Sequence, residues 1–129
     1  MLEKSIIPID GYSLTNHFQD LMINEFLGGE LKAQFIKIYQ AFTSEPAFHV
    51  DMRWKRDPAF LFYVSLYEVM WELEPGELIG DVEPSFATAF PGYRAEAYVL
   101  VHNLFRMDPN VYTQFLYFIS VMTRYLKPM

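Results

Sequence analysis

The chain has 129 residues, a net charge of −6, 52 % apolar and 18 % aromatic side chains, and no cysteine. That length suits one domain with a core of its own, so a single globular domain is expected over 1–129. The missing cysteine excludes disulfides, thiolate metal sites and a cysteine nucleophile. The acidic balance argues against nucleic acid as a partner, because phosphate contacts need clustered Lys and Arg.

Residues 1–12 read as an N-terminal arm, punctuated by Pro8 and Gly11, with Ile6, Ile7 and Ile9 available to the core. The arm lacks a basic segment followed by a long apolar run, so no signal peptide is expected and the reading is cytoplasmic. Ser13 is the expected N-cap of a first helix, with Leu14, Phe18, Leu21, Met22 and Phe26 at helical spacing. Gly28 and Gly29 end it. A second helix is expected over 30–43, striped by Leu31, Phe35, Ile38, Tyr39 and Phe42.

Over 48–55 the period changes to two. Phe48, Val50, Met52 and Trp54 alternate with His49, Asp51, Arg53 and Lys55, which predicts an extended segment. Arg53, Trp54, Lys55 and Arg56 form a basic patch, suited to offsetting nearby acids or to self-association with an acidic patch. Asp57-Pro58 then opens the strongest predicted helix, with Asp as N-cap and Pro at the first position. From Ala59 to Leu73 nearly every face is apolar, which predicts a central helix.

A loop rich in acids, Pro and Gly is expected over 74–93, with a short helix over 85–90. A further helix is expected over 94–107, although Tyr98, Val99, Leu100 and Val101 have strand character. Asp108-Pro109 repeats the Asp-Pro opening, and a last helix, again apolar on most faces, is expected to about Leu126. The uncharged run over 109–123 is 15 residues long, too short for a membrane span. The sum is an all-α bundle of about five helices with one extended segment. An α+β arrangement is the alternative, in which the arm, the Phe48 segment and the Tyr98 segment pair.

The charge is concentrated. Glu68, Glu72, Glu74, Glu77, Asp81 and Glu83 lie in a stretch with no base, and the rest of the chain balances with ten acids against ten bases. The leading expectation is therefore a non-enzymatic interaction module, an acidic adaptor, inhibitor or assembly subunit. It would dock a basic protein surface through these six acids, with Trp71, Phe86 and Tyr93 as aromatic anchors. No phosphate-binding glycine loop, nucleophile elbow or His-Glu-x-x-His is present, and no cofactor or metal is expected. Two alternatives remain open at this point. One is a carboxylate- or metal-based enzyme using Glu68 and Glu72, four apart and so on one helix face, together with His17, His49 or His102. The other is a helical cavity for a small apolar ligand.

Overall fold

The computed structural model describes residues 11–27, 32–34, 36–37 and 57–126. The expected extended segment at 48–55, the basic patch Arg53, Trp54, Lys55 and Arg56, His49 and most of the 30–43 helix lie outside the described residues. Residues 32–34 and 36–37 are helical. Among the described residues there is no strand, and the architecture is an all-α bundle. Its elements are α1 (Gly11–Phe26), α2 (Pro58–Met70), α3 (Glu83–Ala89), α4 (Tyr93–Leu104), α5 (Val111–Met122) and a closing 3₁₀ turn (Thr123–Leu126).

Helix α1 already includes Gly11, so Ser13 sits in its first turn and is not the cap. Of the expected stripe, Leu14, Phe18 and Leu21 are buried and Met22 is half-buried, while Phe26 is left in water. Helix α2 starts as its sequence dictates. Asp57 is extended (φ −94°, ψ 102°) and its Oδ1 accepts from the Ala59 and Phe60 N–H groups at 3.1 and 3.4 Å. Those are donors with no partner inside the helix. Eleven of the thirteen α2 residues are buried, as an all-apolar helix demands.

The principal partner of α2 is α4, and α1 and the 3₁₀ turn also pack on it. Rings lock these contacts. Phe62 stacks on Tyr125 (centroids 3.9 Å apart, 9° between planes), Phe86 meets Tyr93 edge-on at 4.6 Å, and Phe90 lies 5.0 Å from Tyr125. Arg124 lies over the Phe90 and Tyr125 rings, pairs with Glu96 at 2.9 Å and donates to the Pro91 carbonyl at 3.0 Å. Tyr125 also donates to Glu96. The 3₁₀ turn is thus fastened to the start of α4.

The helix expected over 94–107 forms as α4, and its strand-like residues 98–101 are helical because Ala97, Leu100 and Leu104 fall on one buried face. One expectation needs correction: the second Asp-Pro dipeptide does not open α5. Asn110 caps it instead, its Oδ1 accepting from Thr113 N–H at 3.1 Å, while Asp108 and Pro109 lie before the helix. Nor is α5 central. It rests on α4 and α1 along one side, burying Gln114, Phe118 and Met122, while Val111, Tyr112 and Leu116 face outward. Gln114 is buried because its Nε2 donates at 3.0 Å to the carbonyl of Leu104, the last residue of α4.

Candidate functional site

The acid-rich stretch is organised around one side chain. Helix α2 ends three residues earlier than its apolar run suggests. The Leu73 N–H reaches the Glu68 carbonyl (2.7 Å) and the Glu72 N–H reaches the Val69 carbonyl (3.1 Å), the paired bonds of a Schellman end. Glu72 occupies the left-handed position (φ 60°) that glycine usually fills. The turn reverses the chain over the end of α2. Glu68 and Glu72, four apart in sequence, therefore do not share a helix face. Glu68 is buried and Glu72 is exposed. The expected carboxylate pair does not form.

Burying Glu68 strips its carboxylate of water, and the loop above replaces that water with donors. Oε2 accepts from the N–H groups of Gly76 (3.1 Å), Leu78 (2.8 Å) and Ile79 (3.0 Å). Oε1 meets Arg94 Nη1 at 3.0 Å, with the glutamate side chain fully covered and the arginine 32 % exposed. Arg94 Nη2 donates to the Leu73 carbonyl, so the guanidinium ties the loop and α4 to the same carboxylate. Burial pushes the Glu68 carboxyl above the usual glutamate range, while the three N–H groups and Arg94 pull it back toward the ionised form.

The loop completes itself locally. Gly80 N–H bonds to the Gly76 carbonyl at 2.8 Å, and Glu77 Oε1 accepts from Glu74 N–H at 3.0 Å. Gly76 and Gly80 have φ of 91° and 89°, a region in which a Cβ clashes with its own backbone. These two glycines let three N–H groups converge on one oxygen. Leu78 and Ile79 then fill the core beneath.

The six acids divide by position. Glu68 is interior, paired and hydrogen-bonded. Glu83 starts α3, is half-buried and accepts from Tyr93 OH at 2.7 Å. Burial, and then that bond, push the Tyr93 phenol well above its ordinary value. Glu72, Glu74, Glu77 and Asp81 are exposed. The expected aromatic anchors are not on the surface: Trp71, Phe86 and Tyr93 are all buried, because their rings complete the contacts among α2, α3, α4 and the 3₁₀ turn. Sequence reasoning missed Arg94. Its signal was present, since it is the first base after Arg56 and follows the acid-only stretch directly.

Among the described residues no group of three His, Asp or Glu side chains is placed to hold a metal ion. His17 stacks on Tyr63 (4.1 Å between centroids, 16° between planes) and His102 is exposed on α4. With Glu68 occupied by four donors and Glu72 turned away, the carboxylate enzyme expected as an alternative loses its pair.

A second surface feature is apolar. Between α1 and α5 runs an open groove of about 510 Å³, lined chiefly by Phe18, Met22, Ile23, Val111, Tyr112 and Phe115. Ile23 and Phe26 (85 % exposed) on α1, and Val111, Tyr112 (70 % exposed) and Leu116 on α5, leave apolar area in water nearby. Among the described residues no helix is long and apolar enough to cross a membrane. No family model matches the chain, nor does any curated protein or solved structure.

Proposed function

We propose that this protein is a non-enzymatic interaction module whose 71–82 loop docks a basic protein surface. The supporting observation is the tie between the loop backbone and the buried Glu68–Arg94 pair. With the backbone held from beneath, Glu72, Glu74, Glu77 and Asp81 are displayed outward on a loop that needs little further ordering on binding. Such pre-organisation removes part of the entropic cost of association. Four clustered acids speed encounter with a basic patch and set its orientation. The role assigned to Trp71, Phe86 and Tyr93 changes accordingly: they support the loop and its surroundings, and the contact with the partner is mainly electrostatic.

The experiment compares wild type with the Glu72→Lys/Glu74→Lys/Glu77→Gln variant as bait in extracts of the native cell. The glutamine at 77 keeps the acceptor for Glu74 N–H. Wild type is expected to retain a basic protein that elutes as salt rises, and the variant to lose it while keeping its circular dichroism. The same proteins bound equally by both baits overturn the reading.

The groove supports a second reading, a site for a small apolar ligand, since its size and lining match those of such pockets. Native mass spectrometry of the protein as purified is expected to show an added apolar mass. That mass should disappear in Phe115→Ser, and a bare chain with no affinity for an added fatty acid rejects this reading.

A further inference from the structure

Helix α1 touches α2 through a contact that includes a titratable ring. His17 lies flat on the Tyr63 ring and 6.2 Å from the Phe60 ring, both on α2. Two turns further on, Asn24 is buried and its Nδ2 donates to Tyr67 OH at 3.0 Å and to the Asp20 carbonyl at 2.8 Å. Tyr67 OH in turn shares a hydrogen bond with Tyr63 OH at 2.9 Å. The α1–α2 contact is thus built of rings and neutral hydrogen bonds. We propose that it is a pH-sensitive latch, in which protonation of His17 frees α1 from α2 and remodels the α1–α5 groove.

Among the described residues, the charges near His17 do not offset its burial. On α1 itself the nearest acid is Asp20, which is exposed and draws His17 only weakly toward its charged form. On α2 the ionisable groups are Asp57 at the N-cap, the phenols of Tyr63 and Tyr67, and Glu68, which is committed to Arg94 and the loop. Burial pushes the Asp57 carboxyl up, and burial pushes the Tyr67 phenol up, away from its charged form. Helix α5 carries no Asp, Glu, Lys, Arg or His between Val111 and Met122, and its ionisable groups are the phenols of Tyr112 and Tyr117. Desolvation dominates, and it lowers the His17 imidazole below its ordinary value of 6.5.

The direction follows by linkage. Above pH 6.5 His17 is neutral whether α1 is docked or not, and pH has no effect through this group. Below it, an undocked His17 takes a proton that the docked one resists. Opening of α1 then rises by up to about tenfold per pH unit until the docked imidazole itself titrates. Helix α1 already lines the groove with Phe18, Met22 and Ile23, so its release alters that surface directly.

The test is amide hydrogen exchange of α1 and α2 at about pH 7.5, 6.5 and 5.5, corrected for intrinsic rates, in wild type and His17→Gln. Wild-type α1 is expected to lose protection only between the lower two values, with α2 unchanged and the variant flat across the series. Equal pH dependence in both proteins, or α1 and α2 losing protection in step, overturns the latch. The imidazole titration of His17 in wild type, followed by proton NMR, decides independently should the variant fail to fold. A midpoint below 6.5 supports the proposal, and a midpoint at or above it defeats it.

Discussion

Helices α2 and α5 are close in composition and opposite in circumstance. Both are short runs of Phe, Tyr, Leu, Val and Met, with a single charged side chain, Glu68, in α2 and none in α5. Yet α2 buries eleven of thirteen residues and α5 three of twelve. The difference lies in their neighbours. Helices α1 and α4 and the 3₁₀ turn surround α2, whereas α4 and α1 support α5 from one side. Apolar composition sets how much a helix is able to bury; which faces are covered is decided by the rest of the chain. The one charge in the central helix is tolerated because a loop supplies three N–H groups and α4 supplies a guanidinium.

The largest effect expected in this comparison is at Phe62, stacked on Tyr125 in the centre. Phe62→Ala is expected to cost about 3–5 kcal/mol, read as a fall in the urea midpoint at constant slope. Next is Glu68→Ala, expected to cost about 3 kcal/mol, because it leaves two buried N–H groups, a half-buried one and a guanidinium without their acceptor. The loss is held to that figure by Arg94, which is partly exposed and able to rehydrate. Glu72→Gly runs the other way. It relieves a left-handed glutamate at the end of α2 and is expected to stabilise by about 0.5–1 kcal/mol in the same titration. The smallest effect is on the outward face of α5, where Tyr112→Gln is expected to change stability by less than about 0.5 kcal/mol. A cost at Tyr112 approaching that at Phe62 breaks the comparison, for it requires that α5 be covered as α2 is.

Much of this fold was legible in the chain. Asp57-Pro58 announced the start of α2, and its unbroken apolar run announced its central place. The short helix after Asp81 and the helix from Tyr93 were visible from proline and periodicity, within a few residues of their bounds. The end of α2 was not legible. Pro75-Gly76 is the strong stop signal, but the helix turns off before it through a Schellman end with a glutamate in the glycine position. That shift separated Glu68 from Glu72 and divided the acidic stretch into one buried anchor and an exposed group. Periodicity places residues on faces only where a helix continues, so no inspection of spacing reveals such a turn. The aromatic anchors failed for a related reason. Trp71, Phe86 and Tyr93 stand beside acids in sequence, but sequence adjacency does not tell which side of a loop faces water. Arg94 was missed, although it is the first base to follow the run of acids and charge neutralisation would have pointed to it.

The display of the exposed acids depends most on Glu68 holding the loop, and backbone exchange in the loop tests this directly. In wild type the amides of Gly76, Leu78 and Ile79 are expected to exchange as slowly as those at the centre of α2. In Glu68→Ala they are expected to become fast while α2 stays protected. Rapid exchange of these three amides in wild type, at the rate of an open loop, contradicts the account.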